Sequence, residues 1–158
     1  MIEDTEIDIA TDADRDEVFA FFTEVGIVNQ LSTALLTKAL PDGVHPSHFA
    51  ILNHLTKRGD GRTPVAIAAA MQVTKTTMTH SLKVLEGRGF ISVRANPDDG
   101  RGKLVYLTEA GQRFRTGAID RVIEMFGRIL TPEIRAVMAQ ALPQMRRVRT
   151  HLDANRAD

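Results

Sequence analysis

The chain has no cysteine. That excludes disulfides, thiolate metal sites and cysteine-based redox sensing. It has no net charge either, because 20 Lys and Arg offset 20 Asp and Glu. The total therefore does not announce a nucleic-acid binder. No apolar run approaches the roughly 18–20 residues of a membrane span. Met1 is followed by acids rather than by a basic signal-peptide start. These absences predict a cytoplasmic protein with no membrane partner. Internal repeats, low-complexity tracts, glycine-rich phosphate loops and paired carboxylate motifs are also missing. Ser47 and His48 are neighbours, but consecutive helical positions point apart. Neither catalysis nor a cofactor is expected.

The chain does have 158 residues, 43% of them hydrophobic and 25% charged, as suits one globular domain or one subunit of an oligomer. Its charge is uneven. Residues 1–26 hold nine acids (Glu3, Asp4, Glu6, Asp8, Asp12, Asp14, Asp16, Glu17, Glu24) against Arg15 alone, so they carry −8 and the rest +8. Residues 1–10 read as a flexible acidic arm in front of a basic body.

Apolar spacing predicts mostly helix. Thr11 or Asp12 caps a helix running to about Leu40, where Pro41-Asp42-Gly43 breaks it. Its apolar residues cover more than one side, which calls for a second surface such as a dimer partner. A second helix runs from Pro46 to about Lys57. Thr63-Pro64 opens a short alanine-rich helix to Met71, and Thr74 opens another, Lys75 to Glu86. Two short helices with so tight a turn have the spacing of a helix-turn-helix. Phe90–Arg94 and Lys103–Leu107 read as strands about the turn Asn96-Pro97-Asp98-Asp99-Gly100. Thr108-Glu109 starts a long helix to about Leu130. Thr131-Pro132 starts the last, with a kink expected at Pro143. The fold class is thus mainly α with a small β-hairpin wing.

With Met78 facing inward at about 100° per residue, Leu82 and Leu85 follow it. Thr76, Thr79, His80 and Lys83 then face outward. Hydroxyls can meet base edges or phosphates, an imidazole a guanine acceptor, and an ammonium a phosphate. Recognition helices touch bases mainly near their N-terminal end, so Lys75, Thr76, Thr77, Thr79 and His80 are the candidates. Any solvated helix is polar outside; the hairpin beside it gives this one its meaning. Arg101 at the hairpin tip suits a narrow minor groove, Asp99 can hold its guanidinium, and Lys103 adds charge. Lys75, Lys83, Arg88, Arg94, Arg101 and Lys103 together make a locally basic face.

His45 and His48 stand three apart, with His54 beyond. No thiolate or carboxylate joins them at ligand spacing, so no metal site is expected. Pro46 marks a helix start and leaves His45 outside it. Arg146, Arg147 and Arg149 can graze phosphates or pair with the acidic segment of a partner subunit.

The run Thr74-Lys75-Thr76-Thr77-Met78-Thr79-His80, followed by Leu85-Glu86-Gly87-Arg88-Gly89-Phe90-Ile91, resembles the MarR family of multiple-antibiotic-resistance-type regulators. The wing motif Asp99-Gly100-Arg101 and the junction Leu107-Thr108-Glu109-Ala110-Gly111 complete the likeness, over about residues 12–152. The resemblance implies a six-helix winged helix-turn-helix subunit in one domain spanning 1–158. Residues 12–40 and 109–155 would dimerise and residues 45–108 would form the winged helix-turn-helix. It implies a homodimer that binds a pseudo-palindromic double-stranded operator and represses transcription until a small aromatic or phenolic ligand releases it. Asn29, Ser32, His45 and His48 would border the ligand pocket. His80 stands where many members have Arg or another long polar residue, and Gly100 and Gly102 make this wing slimmer. The alternative is a winged-helix protein-interaction module without DNA binding, whose sign would be an apolar outer face on the Lys75–Glu86 helix.

Overall fold

The computed structural model describes residues 11–155, apart from the side chain of Arg101. The acidic arm, residues 1–10, lies outside the described residues. Six helices and one hairpin follow in order: α1 Asp12–Ala39, α2 Pro46–Arg58, α3 Pro64–Met71, α4 Lys75–Gly87, β1 Ile91–Asn96, β2 Asp99–Leu107, α5 Glu109–Ile129 and α6 Pro132–Ala154. The chain divides into two units, 1–118 and 119–158.

Threonine hydroxyls start five of the helices. Thr11, Thr63, Thr74, Thr108 and Thr131 accept the backbone N–H of Asp14, Ala66, Thr77, Gly111 and Ile134, respectively. Each satisfies a donor that the first helical turn cannot. Pro64 and Pro132 occupy first-turn positions, where a missing N–H costs nothing. In the second unit, α6 continues through Pro143 without interruption.

The core of the first unit gathers Ile51, Leu52 and Leu55 of α2, Ile67 and Ala68 of α3, and Met78, Leu82 and Leu85 of α4. Ile91 and Val105 close it from the hairpin, and Phe90 stacks on Phe114 with ring centroids 4.3 Å apart. Between α3 and α4 the turn is three residues long, with Gln72 in the left-handed region at φ 54°. Its N–H and that of Val73 return to the last carbonyls of α3.

Both strands are longer than the sequence suggested, because the turn closes on two residues only. Asn96 pairs with Asp99, and Asn96 Oδ1 accepts the Asp98 N–H at 3.1 Å. That side-chain turn leaves Pro97 and Asp98 as the tip. Ala95 pairs with Lys103, so Gly100, Arg101 and Gly102 bulge out of β2 opposite nothing. Arg101 therefore sits on this bulge and not at the tip. A further edge was not foreseen: Arg62, in the loop after α2, bridges Val105 of β2. Gly61 and Asp60 of the same loop bind Val105 O and Leu107 N–H.

α4 ends in a Schellman motif, with Gly89 at φ 69° and the Phe90 N–H returning to Leu85 O. Phe90 then sets the next junction. Its carbonyl accepts the Thr108 N–H, and Thr108 Oγ1 donates to Gly89 O at 2.6 Å while accepting the Gly111 N–H at 3.0 Å. The first turn of α5 thereby lands on the Phe90 carbonyl, where Gly111 has no Cβ to collide with it.

Apolar side chains remain exposed on the two long terminal helices, each taken by itself. Phe19, Val28 and Leu31 of α1 are 75, 61 and 64% exposed, and Val137 and Met138 of α6 are 58 and 52%. The sequence showed no membrane-length run, yet α1 holds an 18-residue stretch of mean hydropathy 1.3, enough by length and composition alone. Glu24, Asn29, Gln30 and Ser32 interrupt that stretch, a pattern suited to a protein partner rather than to lipid.

A Cβ at position 111 would overlap the Phe90 carbonyl oxygen and stand 2.9 Å from Leu107 Cδ1. Gly111→Ala is therefore expected to lower unfolding stability by about 3 kcal/mol or more, at the severe end of overpacking. A urea titration of the two proteins at one pH reads this directly; an unchanged midpoint would mean that the junction is slack.

Candidate nucleic-acid interface

α4 is two-faced, as its phase requires. Met78, Ser81, Leu82 and Leu85 are buried, while Lys75, Thr76, Thr79, His80 and Lys83 are exposed. Among the described residues, Lys75, Thr76, His80 and Lys83 make no side-chain hydrogen bond or ion pair, so their polar atoms face solvent. Thr79 Oγ1 donates to Lys75 O at 2.8 Å, which spends its proton within the helix and leaves it acting as an acceptor. Thr77 also has a local role. Its hydroxyl lies 2.9 Å from Thr74 Oγ1, within the cap, so it braces the helix start.

The wing stands beside this helix. Glu86 Oε1 accepts the Val93 N–H at 3.2 Å, tying the end of α4 to β1. Glu86, Val93, Arg94, Ala95, Gly100, Gly102 and Lys103 line a shallow cleft of about 290 Å³ there. Gly102 packs against Asp99: a Cβ at 102 would stand 2.9 Å from Asp99 Oδ2. The bulge is thus built from the two glycines around Arg101, with the Asp99 carboxylate folded against its base. Lys103 is exposed at the foot of the bulge. Arg94, which also lines that cleft, lies over the Tyr106 ring at 4.7 Å, a cation–π contact that holds its guanidinium along the strand.

One member of the expected basic face is turned elsewhere. Arg88 Nη2 donates to the Asp42 carbonyl, and a Cβ on Gly43 would stand 2.7 Å from it. Arg88 thus clasps the loop between α1 and α2, a contact across 46 residues that sequence spacing could not reveal. In the last helix, Arg147 and Arg149 pair locally with Gln144 and Asp153.

The residues suggested for a ligand pocket fall into two pairs. Ser32 Oγ donates to Asn29 O on α1. His45 caps α2 and His48 lies in its first turn, their rings 5.4 Å apart. No hydrogen bond joins the two pairs among the described residues. His48 is only 4% exposed, and its Nδ1 accepts the His45 N–H at 3.1 Å. Burial pushes its pKa below the ordinary value, and the charges of His45, His80 and Arg88 push the same way. His54 is pushed down too, first by burial and then by Arg58 and Arg62.

A helix-turn-helix with a polar outer face and a hairpin rooted at its end defines a winged helix-turn-helix DNA-binding protein. A sequence model described as MarR family matches residues 42–102. The transcriptional regulator HosA of Escherichia coli O111:H- is 30% identical over 119 residues, covering 73% of this chain and 87% of HosA. The chain belongs to the MarR family of transcriptional regulators. Among solved structures, an E. coli MarR mutant complexed with operator DNA aligns with TM-score 0.62 at 23% identity, covering 82% of this chain and 96% of that one. Bordetella bronchiseptica BpsR, in a structure concerned with regulation of its DNA binding by 6-hydroxynicotinic acid, aligns with TM-score 0.60 at 23% identity, covering 80 and 98%. Both share the fold.

Because Thr74 Oγ1 accepts the Thr77 N–H and also meets its hydroxyl, Thr74→Ala is expected to cost about 1 kcal/mol. Thr74→Ser, which keeps the oxygen, should restore most of it. Chemical denaturation of the three proteins compares them; equal midpoints would show that the cap contributes nothing.

Proposed function

We propose that the protein is a homodimeric, sequence-specific transcriptional repressor that binds a pseudo-palindromic duplex and is released by a small aromatic ligand. The observation that carries the DNA-reading part is the outer face of α4, with Lys75, Thr76, Thr79, His80 and Lys83 exposed beside a hairpin. An apolar face there would have favoured docking to a protein instead.

In this reading Thr76, Thr79 and His80 meet base edges in the major groove. Thr79 accepts from an exocyclic amine, because its own proton is engaged. Lys75 and Lys83 contact phosphates, and Thr77 acts by holding the helix start. Arg101 enters the adjacent minor groove from the glycine-flanked bulge, where focused negative potential favours a guanidinium. Asp99 steadies the bulge and Lys103 adds a phosphate contact. The exposed apolar faces of α1 and α6 support pairing of two subunits, since patches of this kind mark interfaces. Pairing would set two recognition helices roughly 34–36 Å apart, one helical turn of DNA. The ligand part of the proposal leans on the BpsR likeness and on Asn29, Ser32, His45 and His48 as polar contacts for a carboxylate or phenol. A ligand would act by favouring dimers whose helices are wrongly spaced.

Arg101→Ala should weaken binding several-fold to a duplex selected from a random library, and His80→Ala should alter the selected sequence. Lys83→Ala should weaken binding to all duplexes alike and flatten the slope of log affinity against log salt by about 1. If all three variants bind like the parent at matched salt, the reading face is wrongly assigned. Sedimentation of Leu31→Asp and Val137→Asp variants tests the dimer: both are expected to run as monomers, and a parent that is itself monomeric would remove this part of the proposal.

A further inference from the structure

Where α1 meets α2, one buried nitrogen holds more together than its position suggests. His48 Nδ1 accepts the His45 backbone N–H at 3.1 Å. This is the return half of a capping box, with His in the place where Glu or Gln is usual. A nitrogen that accepts carries no proton, so the His48 imidazole is neutral with its hydrogen on Nε2. The groups whose charge bears on it are all cationic ones: His45 from the cap, His80 from α4 and Arg88 just past the end of α4. The N-terminal end of α2 itself also disfavours a cation. Arg88, meanwhile, is the side chain that clasps the Asp42 carbonyl in the same loop.

We propose that His48 is an acid-sensitive latch between the α1–α2 loop and the recognition helix α4. Protonated at Nδ1, it loses the His45 N–H and stands as a buried cation facing Arg88 and His80, with His45 beside it. Two contacts of the loop are then opposed at once: the His45–His48 bond that caps α2 and the Arg88 clasp that ties the loop to the end of α4. Mild acid thereby loosens the seat of α4 and weakens DNA binding. The DNA half of this inference rests on the function proposed above; the latch itself does not.

The linkage has a definite sign. A histidine whose folded-state pKa is depressed leaves stability intact above the unfolded value, about 6.5. That stability drains away as the pH falls below it. The sign also separates the latch from simple electrostatics, since added positive charge at a phosphate surface would strengthen DNA binding as the pH falls.

The test uses the full chain, a duplex selected by the protein from a random library, and His48→Gln, which keeps an acceptor at the same capping position but cannot titrate. Between pH 7.5 and 5.5 at fixed ionic strength, the parent should lose affinity about fivefold or more and the H48Q protein less than twofold. Thermal stability should fall over the same window in the parent only. In an NMR titration, the His48 ring should change with a midpoint below that of free histidine, together with the amides of residues 42–45 and 83–88. His45→Gln removes one of the repelling groups and should raise that midpoint, which serves where H48Q does not fold. Parallel pH profiles for parent and H48Q, or a His48 ring that titrates like free histidine with the loop amides still, would overturn the latch. Failure to bind any duplex at any pH would instead sink the proposed function, and the NMR and stability series would still decide the latch.

Discussion

The carbonyl oxygen of Phe90 is the point on which the winged half of this chain turns. It accepts the Thr108 N–H, so the strand that leaves α4 and the strand that returns to α5 are pinned at one place. The first turn of α5 comes down on it at Gly111, where any side chain would collide. Thr108 adds a bond to Gly89 O, the carbonyl just before. The end of α4, both roots of the hairpin and the start of α5 are therefore one joint. Glu86 braces that joint by accepting the Val93 N–H. A hairpin rooted in this way keeps its direction relative to α4.

The charge balance takes on meaning in three dimensions. A neutral total is compatible with DNA binding because the acids and bases are used in different places. Several arginines pair locally along their own helices, as with Arg113 and Glu109 or Arg128 and Glu124, and so add little outward field. Arg88 spends its charge on a backbone carbonyl and Arg94 on an aromatic ring. What remains directed outward around α4 is Lys75 and Lys83, with Lys103 beside them on the wing.

The helices were legible because their signals are local. A threonine with a free backbone N–H three residues on is visible in four letters, and all five such caps form where expected. The phase of α4 was legible for the same reason, since Met78, Leu82 and Leu85 repeat at helical spacing. Features joined across many residues were not. Nothing near Arg88 in the sequence indicates that it reaches back to Asp42, and nothing near Arg62 that it borders Val105. The hairpin fell between these cases. Asn96-Pro97-Asp98-Asp99-Gly100 can close in several ways, and the choice fell to the Asn96 side chain, which binds the Asp98 N–H and moves the tip two residues ahead of Gly100. His45 and His48 were noticed for their spacing, but the use of one as acceptor for the other's backbone depends on a ring orientation that spacing does not fix.

The turn between α3 and α4 is made with a glutamine at φ 54°, where glycine would fit without strain. Holding a side chain in that conformation costs roughly 1–2 kcal/mol. A glycine there would instead enlarge the unfolded ensemble, at a cost of roughly 0.4–1 kcal/mol. The first penalty is the larger, so keeping Gln72 costs the chain some native stability. In return the angle between the two helices is restricted in fluctuating states as well as in the native one. The turn that joins α3 to α4 is thus stiffer than a glycine turn would be.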